Sequence, residues 1–373
     1  MAKGAKAAAP KVDWGGRKKV SLALQGGGAH GAFTWGVLDH ILEDGRLDIE
    51  AISGTSAGAM NAVVLAEGFI EGGREGARAN LERFWQSVSE EGALAPIPRK
   101  LFGAFFEFWA GESSPLNFWA DLLTHYASPY EFNPLNLNPL RDHLENIVDF
   151  TKVRACTEIK IAVAATNVHT GKIAVFERDI LTADHVMASA CLPLAFQAVE
   201  IDGIPYWDGG YMGNPALYPL FYKTASSDVI LVQINPIERR TTPKTARDIQ
   251  NRLNEITFNS TLINELRAVD FVSRLNKEGK LPKGLYKTIL MHRIDGEQAL
   301  ANFSAASKSN TSWLFLSGLR DIGRAAARRW LAAHYDDLGV RATLDVKETI
   351  SPRAGIAQRP PGEAPPPAAP KTN

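Results

Sequence analysis

Two cysteines in 373 residues leave no disulfide framework to read. Cys156 and Cys191 both sit in apolar context without metal-ligand spacing, so two buried thiols in a reducing compartment are expected. No run approaches the ~18 apolar residues that a membrane-spanning helix needs. Met1 to Lys11 is rich in Ala and Lys but has no apolar h-region, so no signal peptide is read there and a cytoplasmic protein is expected. Charge of one sign is missing too: Lys plus Arg and Asp plus Glu both total 41. That balance provides no global field to draw the chain to nucleic acid. No internal repeat and no metal-binding cluster stand out, so neither metal nor cofactor is expected.

What the chain does have is the stretch Ile49 to Asn61. Ile49-Glu50-Ala51-Ile52 reads as a buried strand, and Ala59 to Ala66 as a helix closed by Gly68. Between them lies Gly54-Thr55-Ser56-Ala57-Gly58. This is the strand–turn–helix setting of a Gly-x-Ser-x-Gly nucleophile elbow, whose tight turn demands small neighbours around the serine. Gly54 and Gly58 meet that demand, and Ser56 would stand at the carboxyl edge of a sheet.

Upstream, Lys18 to Leu24 reads as a strand that runs into Gln25-Gly26-Gly27-Gly28-Ala29-His30-Gly31. From Ala32 to Leu42 apolar residues recur at helical spacing, with Gly45 as a stop. The order strand, glycine loop, helix, strand, elbow, helix implies a parallel sheet with right-handed crossovers. Gly26, Gly28 and Gly31 fit a dinucleotide fingerprint, but the second strand ends in the elbow and not in an acidic residue. A phosphate-binding loop of the Walker type fails because no Lys-Ser or Lys-Thr follows. Backbone N–H groups left bare by three glycines at a helix start also suit an anionic oxygen. A plain tight turn is the fourth reading.

Residues 69–150 break the alternating rhythm. Arg78 to Val88 reads as a surface helix, and 101–130 is dense in Phe, Trp and Tyr, either a lid that meets lipid or a helical layer packed on the core. Strands are expected again at Lys160–Ala165, Lys172–Phe176, Val199–Ile201 and Ile204–Tyr206, the last two joined by Asp202-Gly203. The second arm ends in Asp208-Gly209-Gly210, a turn former or a carboxylate presented at the sheet edge. Asp228–Ile234 and Tyr286–Met291 complete the strands. Residues 238–293 carry twelve Lys/Arg against six Asp/Glu, including a helix from Thr245 to Leu275. Ile249, Leu253, Ile256, Leu262, Ile263, Leu266 and Phe271 are expected on its apolar side. Ser312 to Tyr335 is the closing helix. Residues 1–17 read as a basic tail, and 351–373, rich in Pro and Ala, as a disordered one.

The blocks Gln25–Gly31, Gly54–Gly58, Ala188-Ser189-Ala190-Cys191-Leu192-Pro193-Leu194-Ala195-Phe196 and Asp208–Gly210 together resemble the patatin-like phospholipases, over about Lys18 to Ile234. The resemblance implies an α/β/α sandwich of three layers with a mainly parallel sheet and a helical insertion. It places one hydrolase domain at 18–350, with the insertion at about 69–150 and a helical extension at about 238–350. It also implies acyl hydrolysis of a lipid or phospholipid by a Ser56–Asp208 dyad, an oxyanion hole at Gly26, Gly27 and Gly28, and peripheral contact with a membrane. His30 stands where the family often carries Arg or Lys. Two other functions fit: a Ser-His-Asp α/β-hydrolase (an esterase or thioesterase) with His292 or His334 as its third member, or a lipid-binding regulatory protein with little turnover.

Overall fold

A computed structural model describes residues 16–89, 128–239, 242–282, 285–296, 299–300, 303, 307–308 and 310–351. The expected tails, apart from Gly16, Arg17 and Ser351, and the aromatic stretch 101–130, apart from its last three residues, lie outside the described residues.

Eight strands form one sheet: β1 (Lys18–Leu24), β2 (Leu47–Gly54), β3 (Lys160–Asn167), β4 (Ile173–Glu177), β5 (Val199–Ile201), β6 (Ile204–Asp208), β7 (Asp228–Gln233) and β8 (Leu290–Asp295). Their order is β5-β6-β3-β2-β1-β7-β8, with β4 paired to β3. Pairs β3-β2-β1-β7-β8 are parallel, and β4, β5 and β6 enter antiparallel. The fold is therefore α/β with a mainly parallel sheet, as the alternation of elements predicts.

β1 is central and buried on both sides. Val20, Leu22 and Leu24 belong to the larger core, which also holds α1 (Gly31–Asp44), α2 (Ala57–Ser87) and α5 (Trp313–His334). Ala23, one residue out of phase, faces the second core with Leu262 and Leu266 of α4 (Ala246–Lys277). The period of two along the strand thus serves two helical layers at once. A further short helix, α3 (Ala183–Ser189), packs near the antiparallel edge.

Three expectations shift. The elbow helix does not stop at Gly68. Helical structure continues through Ser87, broken where Gly72 and Gly73 leave helical dihedrals, and Gly68 packs against the carbonyl of Gly76. On α4 the apolar residues divide. Leu262 and Leu266 are buried, while Ile249, Leu253, Ile256 and Phe271 are exposed. At roughly 100° per residue the two sets centre about 135° apart, so they were never one stripe. The last strand starts at Leu290, not Tyr286, because it pairs with β7 from Asp228↔Leu290 onward. Lys287 instead gives its ammonium to the carbonyls of Thr224 and Ser226.

Candidate active site

β2 ends at Gly54, level with the end of β1 at Leu24 and with Val163 in the middle of β3. Ser56 follows at φ 54°, ψ −121°, a left-handed conformation that costs a non-glycine residue about 1–3 kcal/mol. Close packing holds it there. A Cβ on Gly58 would collide with the carbonyl of Leu24, and one on Gly54 would lie 2.6 Å from the carbonyl of Gly58. The Thr55 hydroxyl donates to the Gly213 carbonyl at 2.7 Å, and the Ser56 N–H to Ser189 Oγ at 2.8 Å. Strain at a serine clamped this tightly is what an elbow requires.

Asp208 closes β6. Because β6 runs antiparallel to β3, with Asp208 opposite Ala165, the carboxylate arrives at the same sheet edge as Ser56. Its N–H donates to the Cys191 carbonyl at 2.7 Å, and its own carbonyl accepts from the Thr166 hydroxyl at 2.8 Å. The side chain accepts from the Gly210 N–H at 2.6 Å, and the Ser56 hydroxyl lies near enough to oppose the rise in its pKa. Burial pushes its pKa up to about 7 against the Gly210 hydrogen bond and the nearby Ser56 hydroxyl. A carboxylate poised there accepts a proton far more readily than an exposed one.

The glycine loop packs on this pair. A Cβ on Gly26 would lie 2.8 Å from Ser56 Cβ. Of the three donors expected from the loop, Gly26 is already committed, giving its N–H to Asn214 Oδ1 at 2.7 Å. Among the described residues no acceptor faces the N–H of Gly27 or Gly28. The structure brings Ser56, Asp208 and the loop together, with the Gly26 N–H already engaged by Asn214.

No described histidine joins them. His292 is wholly buried in the third position of β8, its Nε2 3.0 Å from Asp228 Oδ1. Asp228 starts β7, four residues before the position level with Leu24, so the pair sits ~13 Å toward the other sheet edge. His334 pairs with Asp337 at 3.0 Å. His30 is buried, 2.8 Å from Ser307 Oγ, and its pKa falls to about 3, chiefly through burial.

Several supports escaped sequence reading: Ser189, Asn214, Asn235 and Lys308. Asn235 donates to the Gly26 carbonyl at 2.7 Å and accepts from Lys308 Nζ at 2.7 Å. The hints were the block around Ser189 and two Asn-Pro pairs, at 214–215 and 235–236, which mark turns without saying what the side chain holds. Both cysteines are buried free thiols. Among the described residues no group of three or more His, Cys, Asp or Glu forms a metal cage, and no helix is long and apolar enough to cross a membrane.

No curated protein matches the sequence. Among solved structures, VipD from Legionella pneumophila is similar at 16% identity, covering 85% of this chain and 67% of its own, with a TM-score of 0.41. The type III effector protein ExoU is similar at 12% identity and a TM-score of 0.31, over 84% of this chain and 53% of that one, about half its length. A chain from the full-length SpcU–ExoU complex of Pseudomonas aeruginosa gives 14% identity, 86% and 79% coverage, and a TM-score of 0.29. The family model for patatin-like phospholipases matches residues 22–221, more than half of the chain, from the last three residues of β1 past Asp208. The protein belongs to the patatin-like phospholipase family.

Proposed function

We propose that the protein is a serine acyl hydrolase that cleaves fatty-acyl esters of lipids or phospholipids through a Ser56–Asp208 dyad. The observation that carries this reading is a strained serine at a sheet edge beside a buried carboxylate whose pKa is raised to about 7. Asp208 takes the hydroxyl proton as Ser56 Oγ attacks the ester carbonyl. The N–H groups of Gly27 and Gly28 hold the oxyanion as it forms, doing so more strongly in a buried site than in water. The tetrahedral intermediate collapses, the acyl C–O bond breaks, and Asp208 returns the proton to the departing alkoxide. Water, deprotonated by the same carboxylate, then attacks the acyl-enzyme and frees the fatty acid, and Ser56 regains its proton from Asp208.

Family membership supports the lipid class of substrate. The Asp228 contact of His292 and the Asp337 contact of His334 leave the proton transfer to Asp208 and argue against the triad alternative. The domain reading of one hydrolase unit over 18–350 rests on strands from Lys18 to Asp295 sharing one sheet. Peripheral membrane contact by 101–130 stays part of this proposal and is tested with vesicles. Activity-based labelling tests the chemistry: a fluorophosphonate modifies Ser56 in the wild type and nothing in Ser56→Ala. Modification of another residue, or ester turnover by Ser56→Ala, overturns it.

A further inference from the structure

We propose that Lys308 is a positioning residue of this site: its buried ammonium, acting through Asn235, holds the Gly26–Gly28 loop and gives it the positive field that a developing oxyanion needs. The inference rests on the dyad reading above.

The geometry is a clamp from a distant part of the chain. Lys308 is 2% exposed, rare for a lysine without committed partners. Its Nζ donates to Asn235 Oδ1 at 2.7 Å. With that oxygen engaged by a pure donor, the Asn235 amide has one orientation, and its Nδ2 points at the loop. There it donates to the Gly26 carbonyl at 2.7 Å and to Gln25 Oε1 at 3.3 Å. The main chain of Lys308 presses on the same loop. Gly28 has φ 58°, and a Cβ there would lie 2.7 Å from the Lys308 carbonyl. One residue earlier, Ser307 Oγ meets His30 Nε2 at 2.8 Å. Residues 307–308 thus hold the loop through Gly26, Gly28 and His30.

The charge argument is independent of the clamp. His30, the loop's own basic side chain, is neutral at working pH because its pKa has fallen to about 3. Among the described residues, Glu255 of α4, Arg239 after β7, and His30 bear on Lys308. Glu255 is shared with Arg239 at 2.8 Å and Arg252 at 3.0 Å. Arg239, Arg252 and Lys308 all bear on Glu255, and the Lys308 ammonium stands one amide away from the Gly26 carbonyl. Burial lowers the Lys308 pKa to about 8, with Glu255 opposing the shift. The ammonium form is the one that orients Asn235 and supplies the field.

Asp208 must be ionised and Lys308 protonated, so kcat/KM should rise with pH through about 7 and fall through about 8. The test follows hydrolysis of a short p-nitrophenyl ester and the rate of fluorophosphonate labelling of the full chain from about pH 5.5 to 9.5. Lys308→Met, with cooperative melting checked, should lower kcat by roughly ten- to a hundredfold with KM held within about threefold, and should lose the alkaline limb. Lys308→Arg keeps the charge, should recover most of kcat, and should carry the limb above the tested range. A folded Lys308→Met with wild-type kcat or an unchanged alkaline limb overturns the inference, as does Lys308→Arg no more active than Lys308→Met. Should Lys308→Met not fold, the wild-type labelling profile decides, and no fall above pH 8 overturns it. Wild-type chain that does not react at Ser56 removes the dyad reading itself, whereas reaction at Ser56 with an indifferent Lys308→Met removes only this inference.

Discussion

At the carboxyl edge of the sheet Asp208 is buried beside a serine, with no described histidine in contact, while toward the opposite edge Asp228 is buried against His292. The second pair looks more like textual expectations of a catalytic acid and its histidine, yet everything around it is closed. Asp228 Oδ1 meets His292 Nε2 at 3.0 Å and accepts from the Gly339 N–H at 2.9 Å. His292 Nδ1 meets Thr343 Oγ1 at 3.0 Å, and the ring packs edge-on against Trp330 with centroids 5.6 Å apart. Both ring nitrogens are engaged and the side chain is fully buried, so the pair fastens the segment after α5 to β7 and β8. Asp208 instead has the Gly210 N–H and the hydroxyl of Ser56 beside it, and burial raises its proton affinity. A buried acid held by a histidine whose other nitrogen is also engaged is a fastening; one with a strained hydroxyl for a neighbour is placed to take a proton.

The largest effects separate the two ends. Ser56→Ala should cut ester hydrolysis by roughly 10⁴-fold or more and keep a cooperative melt, measured by initial rates beside calorimetry. Asp208→Asn keeps the Gly210 hydrogen bond but removes the basicity, so a loss of about 10²–10⁴-fold is expected.

Much of this contrast could be read in the sequence at one end and little at the other. β1 matches Lys18–Leu24, the α1 stop is Gly45 at φ 76°, and the Asp202-Gly203 hairpin turns with both residues at positive φ. Each of these is set by neighbours in the chain. The elbow and Asp208-Gly209-Gly210 were legible for the same reason, since tight turns demand particular residues locally. Asn214, Asn235 and Lys308 reach the loop across 188, 209 and more residues of chain, and no spacing encodes such a contact. His292 was expected near a strand end because the last strand was placed early. Pairing with β7, a long-range effect, moved the strand and put the histidine inside it.

His292→Ala tests the fastening. It leaves a buried carboxylate without its main partner, so stability should fall by about 3 kcal/mol, read as a drop of several degrees in Tm. Hydrolysis per folded molecule should stay within about tenfold of wild type, because this pair moves no proton. The smallest effect is a stability change at the site itself. The folded-state pKa of Asp208 lies above the ordinary carboxylate value, so its protonated form is the one that folding favours. That contribution is fully present below the unfolded pKa and is lost as pH rises through about 7. Asp208→Asn should therefore melt higher than wild type at pH 8, and the gap should narrow toward pH 5. A gap that widens as pH falls would mean that the carboxylate is stabilised in its charged form, as in an ordinary ion pair.

The dyad without a histidine is measured most directly by the rate at which Ser56 is phosphonylated in Asp208→Asn and His292→Ala, each scaled to its folded fraction. The account predicts a loss of about 10²–10⁴-fold in the first and less than about tenfold in the second. A folded His292→Ala protein as slow as Asp208→Asn would contradict it and place a histidine in the proton path.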